Sequence, residues 1–216
     1  MNNLTAATVH YGTPKLLMTA IESIKAFYPN LRFTVINGSE GLDDWERVKV
    51  VNFGFNIGHG PGMHKAILDS DSDYILLFDT DIVMNKPCLE QMVALIEDDT
   101  FAVGRVYMDS QKTYGVKFGN GDDPIPIIHP SFHIVQKKEY KKYHPYIQNG
   151  GPCFLTALDI FSKRLSDKVL KDFPVNDYID HSWRGTRDVN PPDIYKGSVV
   201  LEDNMKEQLT LNWANG

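Results

Sequence analysis

Asp79 and Asp81 stand two residues apart, immediately after the apolar run Tyr74-Ile75-Leu76-Leu77-Phe78. Carboxylate oxygens are hard donors, and a divalent ion such as Mn2+ or Mg2+ is their natural partner. Such an ion commonly bridges to phosphate oxygens as well. Position separates this pair from Asp69, Asp71 and Asp73, which alternate in the same way but precede the run and read as capping or solvating a turn. Residues 177–187 concentrate polar groups, among them Asp177, Asp180, His181, Arg184 and Arg187. Residues 54–62 hold Gly54, Gly58, Gly60 and Gly62 ahead of Lys65. Small residues there let a phosphate-bearing ligand approach the backbone, or simply make a tight turn before a helix. Asn56 and Lys65 would add polar contacts, and a helix opened by Pro61 would offer free N–H groups to an anion.

The elements that must position these groups follow from periodicity. Residues 5–10 form a short apolar run broken by Gly12-Thr13-Pro14, where Thr13 can cap a helix and Pro14 fits its first position. Leu16, Leu17, Ala20, Ile21 and Ile24 recur at helical spacing until Pro29 stops the element. Residues 32–36 and 49–52 read as strands, the former ended by Asn37-Gly38-Ser39. Pro61 opens a helix carrying Met63, Ala66 and Ile67, and residues 74–78 suit a strand buried on both faces. Pro87 opens another helix, and residues 101–107 are again strand-like.

Strands alternating with helices predict an α/β domain with a mostly parallel central sheet and helices on both faces. Ligands of such folds bind at the carboxyl ends of the strands. That rule selects His10-Tyr11-Gly12, Asn37-Gly38-Ser39 and the loop after Phe78. Beyond residue 110 the pattern loosens. Ile127, Ile128, Phe132 and Ile134 around His129-Pro130 predict a hairpin or edge strands, and Gly150-Gly151-Pro152 precedes an apolar helix-like run. Residues 1–216 are expected to form one domain, with residues 1–110 as a ligand-binding half and 111–216 as a smaller mixed or antiparallel half.

Bulk properties narrow the classes. The 216 residues are 42% hydrophobic and 23% charged, as in a globular α/β domain. A formal net charge of -6 argues against a general nucleic-acid binder, which needs a basic surface. Cys88 and Cys153 are far apart in sequence and read as small, buried, reduced residues. With neither a signal peptide nor a membrane-spanning run in view, a cytoplasmic protein is expected. Residues 212–216 make a weak natural ending, so further domains of a longer polypeptide are also expected.

In their order, these segments resemble the GT-A glycosyltransferases, especially family-2-like enzymes. The resemblance rests on His10-Tyr11-Gly12-Thr13-Pro14 after the first strand and on Val35-Ile36-Asn37-Gly38-Ser39 at the end of the second. It continues through Asn56-Ile57-Gly58 before a helix and through Tyr74 to Asp81, covering residues 5–110 well and 145–190 loosely. The chain also looks similar to glycosyltransferase domains encoded by large DNA viruses of algae. The resemblance implies a Rossmann-like GT-A domain that transfers a hexosyl or deoxyhexosyl group. The donor would be a nucleotide-diphospho-sugar, by default a UDP-sugar, and the acceptor a glycan or other hydroxyl. Asp79 and Asp81 would hold Mn2+ or Mg2+, with Thr80 beside the donor and His181 as the third protein ligand. His10, Tyr11, Gly12, Asn37, Asn56, Gly58, Gly62 and Lys65 would line the nucleotide. Gly151 would lie beneath the sugar, Arg184 would neutralise the leaving diphosphate, and Asp177 or Asp180 would be the base of an inverting reaction.

Other readings stay open. The family's second strand usually ends in an acidic residue where Asn37 stands, which leaves the base identity in doubt. His181 could instead pack on Trp183, and His129 and His133 read as structural or acceptor-side residues. A sugar nucleotidyltransferase shares this architecture but usually has a Gly-rich basic loop after its first strand, which this chain lacks. A non-catalytic nucleotide-sugar-binding module is the other alternative.

Overall fold

A computed structural model of the chain describes residues 3–110, 124–147 and 151–182. Four strands, β1 (Leu4–His10), β2 (Arg32–Asn37), β3 (Val48–Asn52) and β4 (Tyr74–Phe78), alternate with helices α1 (Pro14–Phe27) and α2 (His59–Asp69). Then follow β5 (Ile82–Met84), α3 (Leu89–Ala94), β6 (Ala102–Ser110), β7 (Pro124–Gln136) and α4 (Lys137–Tyr140). The described chain ends with α5 (Phe154–Ser162), α6 (Ser166–Val169), β8 (Leu170–Asp172), a 3-10 turn (Val175–Asp177) and β9 (Ile179–His181).

Seven strands form the central sheet in the order β3-β2-β1-β4-β7-β6-β8, and β5 pairs with β9 in a separate two-stranded ribbon. β1 to β4 are mutually parallel, β6 is parallel to β8, and β7 is antiparallel to both its neighbours. Leu17, Ile21 and Ile24 of α1 and Leu89 and Met92 of α3 close one face over Phe33, Leu76 and Phe78. Met63, Ala66 and Ile67 of α2 and Leu155, Leu158 and Ile160 of α5 close the other over Ala7, Ile36 and Ile75. The expected mostly parallel α/β sheet with helices on both faces is what forms. Both cysteines are free and buried. Among the described residues, no helix is long and apolar enough to cross a membrane.

Three local expectations are corrected. Pro14 does take the first turn of α1, but the Thr13 side chain makes no capping bond. Its hydroxyl lies 3.5 Å from that of Thr80 instead, joining the first loop to the Asp79–Asp81 loop. Pro61 does not open α2: the helix starts at His59, after Gly58, whose φ of +87° only glycine adopts easily. Pro61 sits inside the first turn, where its missing N–H costs little.

The third correction is the largest. Residues 124–136 are neither a hairpin nor an edge but one 13-residue strand in the middle of the sheet, between β4 and β6. Three prolines disguise it. They are tolerated because β4 pairs only with residues 132–136, so residues before Phe132 have a ladder partner on one side alone. Pro130 falls where the β6–β7 register itself breaks, between Gly104 and Val106.

Gly62 shows how tightly α2 is seated on the sheet. A Cβ at this position would lie 2.6 Å from Cγ2 and 2.8 Å from Cγ1 of Val9 on β1. Gly62→Ala should therefore destabilise the fold by about 1–3 kcal/mol in urea unfolding, and adding Val9→Ala should recover part of that loss. An additive pair of losses would show that Val9 is not the obstacle.

Candidate active site

The site is built from the carboxyl end of β4. Ile75, Leu76, Leu77 and Phe78 are all buried, and the strand ends where Asp79 donates its backbone N–H to the Ser131 carbonyl at 2.9 Å. Thr80 is buried beneath the loop, and Asp81 leads straight into β5. The β5–β9 ribbon then pairs Ile82 with His181, while the Ser182 N–H donates to the Asp81 carbonyl at 3.0 Å. His181, a hundred residues later in the chain, is thereby fixed against the aspartate pair.

One ligand atom from each of Asp79, Asp81 and His181 lies within 4.8 Å of the others. His181 Nε2 is 3.2 Å from Asp81 Oδ1 and 3.6 Å from Asp79 Oδ2. Neighbouring donors of an octahedral ion with bonds of about 2.1–2.3 Å stand roughly 3.0–3.3 Å apart, so this set fits an Mn2+- or Mg2+-like ion after small side-chain adjustments. Two carboxylate oxygens and one imidazole leave the remaining positions for water and phosphate oxygens.

A further histidine, which sequence reasoning passed over, completes the arrangement. His59, the first residue of α2, places Nε2 3.2 Å from Asp79 Oδ1, on the carboxylate oxygen that His181 does not face. Its position directly after the Asn56-Ile57-Gly58 turn was the available signal, hidden by the glycines around it. Burial pushes the Asp79 carboxyl up, but His59, His181 and His129 together outweigh burial and hold its pKa below the usual value. Burial pulls His59 down, and Asp79 more than reverses this. His181 is likewise depressed by burial but raised overall by Asp81 and Asp79. The site thus keeps Asp79 ionised, and a divalent cation would compete with imidazole protons for the carboxylates.

Two more histidines come from β7, His129 from its irregular part and His133 from the regularly paired part beside it. The His129 ring lies 5.9 Å from that of His181 and 5.5 Å from that of Tyr107, and burial lowers its pKa to about 4. The ring accepts the Ser131 N–H at Nδ1 (3.2 Å), so the proton of the neutral form sits on Nε2. His133 points into the core beside the Tyr146 hydroxyl, 3.3 Å from its Nε2, and burial lowers its pKa to about 3.

The loops expected to line a nucleotide are tied together by their own hydrogen bonds. His10 is buried; its Nε2 accepts the Thr13 N–H at 3.0 Å, so Nδ1 carries the proton and donates to Asn37 Oδ1 at 2.8 Å. Asn37 Oδ1 also accepts the Ser39 N–H at 3.0 Å, and Nδ2 donates to the Ser39 carbonyl and to Asn52 Oδ1, both at 2.6 Å. That fills the whole hydrogen-bonding capacity of the Asn37 side chain. His10 and Asn37 therefore knit β1, β2 and β3 together at the sheet's rim. Gly12, at φ +69°, donates its N–H to Ser39 Oγ at 2.6 Å, with half-buried Tyr11 beside it.

Asn56 Oδ1 accepts the Gly58 N–H at 2.9 Å and so shapes the turn into α2. Gly62 serves helix packing, and Lys65 is engaged 2.6 Å from Asp69 further along α2, about 9 Å of helix rise beyond His59. The Gly151 carbonyl accepts the Phe154 N–H at 3.0 Å and starts α5. Asp177 is exposed on the 3-10 turn. Asp180, opposite Val83, is exposed on the face of β9 away from Ile179 and His181. Arg184, with Trp183 and Arg187, lies outside the described residues.

His133 generates a pH test. In the folded chain it stays neutral down to about 3, whereas the unfolded chain protonates it near 6.5. Its contribution to stability is whole above pH 6.5 and is lost as pH falls from there toward 3. Denaturant unfolding should lose about 1.4 kcal/mol per pH unit for this one histidine across the window. His133→Asn should flatten the pH profile by that amount even where it lowers stability at pH 7; an unchanged slope would mean that the ring is protonated in the fold.

Residues 5–165 match the family described as glycosyl transferase family 2. No curated protein sequence matches the chain. Among solved structures, a mannosyltransferase from Pyrobaculum calidifontis in complex with GDP-Man and Mn2+ superposes with a TM-score of 0.58 at 11% identity, over 80% of this chain and 55% of that one. Glucosyl-3-phosphoglycerate synthase from Mycobacterium tuberculosis, in complex with Mn2+, UDP and glucosyl-3-phosphoglycerate, gives 0.54 at 12% identity, over 81% and 74%. The chain spans about half the length of the mannosyltransferase. At such identities the likeness shows the GT-A fold, while the family match covers well over half of the sequence. By its sequence, the chain belongs to glycosyl transferase family 2.

Proposed function

We propose that this chain transfers a sugar from a nucleoside-diphosphate sugar, in the first instance a UDP-sugar, to an acceptor hydroxyl, using Mn2+ or Mg2+. The observation that carries the reading is the convergence of Asp79, Asp81 and His181 at the carboxyl end of β4, where ligands of open α/β sheets bind. When bound between Asp79, Asp81 and His181, the ion would offset the negative charge of the leaving diphosphate. The protein's own part is to orient and to insulate. His59 restrains the Asp79 carboxylate from one side, and the β5–β9 ribbon holds His181 on the other. The β1–β4 half supplies the donor rim, with Tyr11, Gly12, Asn56 and Gly58 nearest a nucleoside. The β6–β9 half supplies the acceptor side, where His129 packs against both His181 and Tyr107.

A thermal-shift screen of UDP- and GDP-sugars with and without Mn2+ tests this reading. A donor should raise the Tm only when metal is present, by the few degrees that binding well above Kd gives. Asp79→Ala should lose the response. Stabilisation that needs no metal and survives in the variant would reject the assignment.

For an inverting reaction we assign the base to Asp177 or Asp180, the exposed carboxylates leading into His181. Asp177→Asn and Asp180→Asn should separate them. The variant that lacks the base should lose roughly 10²–10⁴ in kcat while keeping metal-dependent donor binding. Full kcat in both would remove these residues from the chemistry.

A further inference from the structure

The opposite rim of the sheet carries a cleft of about 430 Å³ that the glycosyltransferase reading does not use. That volume is within the range of small-ligand sites. Its floor follows from strand register. Thr5 pairs with Arg32 and Thr34 with Lys49, and alternation puts all four side chains on the face that α2 covers higher up through Ala7 and Ile36. The helix stops at Asp69, so this part of the face stays polar and open. The cleft lies five residues of β1 below His10, about 17 Å from the rim that holds Asp79.

Arg32 is held by its side chain and Arg47 by its backbone, while Asp44 and Asp69 are engaged nearby. Arg32 donates to the Ser72 hydroxyl at 3.0 Å, and Ser72 is itself buried and bonded to Thr5 Oγ1 at 2.8 Å. Trp45 and Val48 exchange backbone bonds of 2.8 and 3.1 Å around Glu46-Arg47, and this turn fixes Arg47 at φ +60°, a conformation costly for a side-chain-bearing residue. The Arg47 carbonyl is tied to the Phe33 N–H at 2.8 Å, so the turn is anchored to β2. Among the described residues, no carboxylate pairs with Arg32, Arg47 or Lys49. By contrast Asp69 is paired with Lys65 at 2.6 Å, Asp44 accepts the Val50 N–H, and Lys137 donates to the Leu68 carbonyl near the end of α2. On a chain of net charge -6, the cleft gathers Arg32, Arg47 and Lys49 against Asp44, Asp69 and Asp71, and of these acids Asp69 is neutralised by Lys65.

We propose that this cleft is a second binding site, separate from the metal centre, for a small phosphorylated ligand the size of a sugar phosphate or nucleoside monophosphate. Arg32, Arg47 and Lys49 meet the phosphate, and Trp45, packed against the core on the α1 side, borders the cleft where the attached ring would lie. Arg32 is pre-oriented by its bond to Ser72, which reduces the ordering cost of binding.

Isothermal titration calorimetry of the full chain in EDTA, with UMP and with inorganic phosphate as probes, tests the site. UMP should bind to wild type and to Asp79→Ala alike, and about tenfold or more weakly to Lys49→Glu. Lys49 is exposed on the edge strand β3, so this variant should leave the fold intact, and Arg32→Gln provides the second arm. Weaker binding of inorganic phosphate than of UMP supports a ring contact, and equal binding supports the same site with phosphate alone as its ligand. Binding abolished by Asp79→Ala, unaltered in both Lys49→Glu and Arg32→Gln, or absent with both probes overturns the proposal.

Discussion

The Asp79 carboxylate ties three distant parts of the chain together. It leaves the end of β4, meets His59 at the start of α2 through one oxygen and faces His181 at the end of β9 through the other. A half-buried anion of this kind is unfavourable unless cations or donors surround it. Here the compensation comes from imidazoles, and its cost in desolvation is what makes the position suited to a metal ion. The same groups that stabilise the carboxylate without an ion would ligate or support one when it binds.

This constraint explains several features of the fold that otherwise look unrelated. β5 is only three residues long, yet it pairs with β9 in a ribbon that sets His181 beside Asp81. α2 has to begin next to the β4 loop for His59 to reach Asp79. That close seating is achieved by a glycine turn at Gly58 and by Gly62 packing directly on Val9. β7 departs from regular pairing with β6 beside the same loop, where His129 lies against His181. A break in a ladder next to a site is a common way to re-aim a side chain.

The carboxyl rim of β1, β2 and β3 is tied together by its own side chains. His10 and Asn37 look like ligand-binding residues at a sheet's carboxyl edge, but their hydrogen bonds are spent on each other and on Thr13, Ser39 and Asn52. Their role is to hold three loops in register. The charge pattern divides in a parallel way. One rim of the sheet gathers carboxylates and imidazoles, and the other sets arginines and a lysine among aspartates around a polar floor.

The alternation of apolar runs with helical periodicity determined the α/β sheet. The uninterrupted run before Asp79 determined which loop would carry the acidic pair, because a strand buried on both faces must end at the ligand edge. Those are local properties, written in consecutive residues. Tertiary structure alone decided the rest. The place of β7 depended on which neighbours pair with each part of it, and three prolines concealed that in the sequence. The partnership of His59 with Asp79 depended on where α2 docks, and the spending of Asn37 depended on three loops meeting. Hydrogen bonds and ion pairs between residues far apart in the chain arise only once the sheet is assembled, and no periodicity records them.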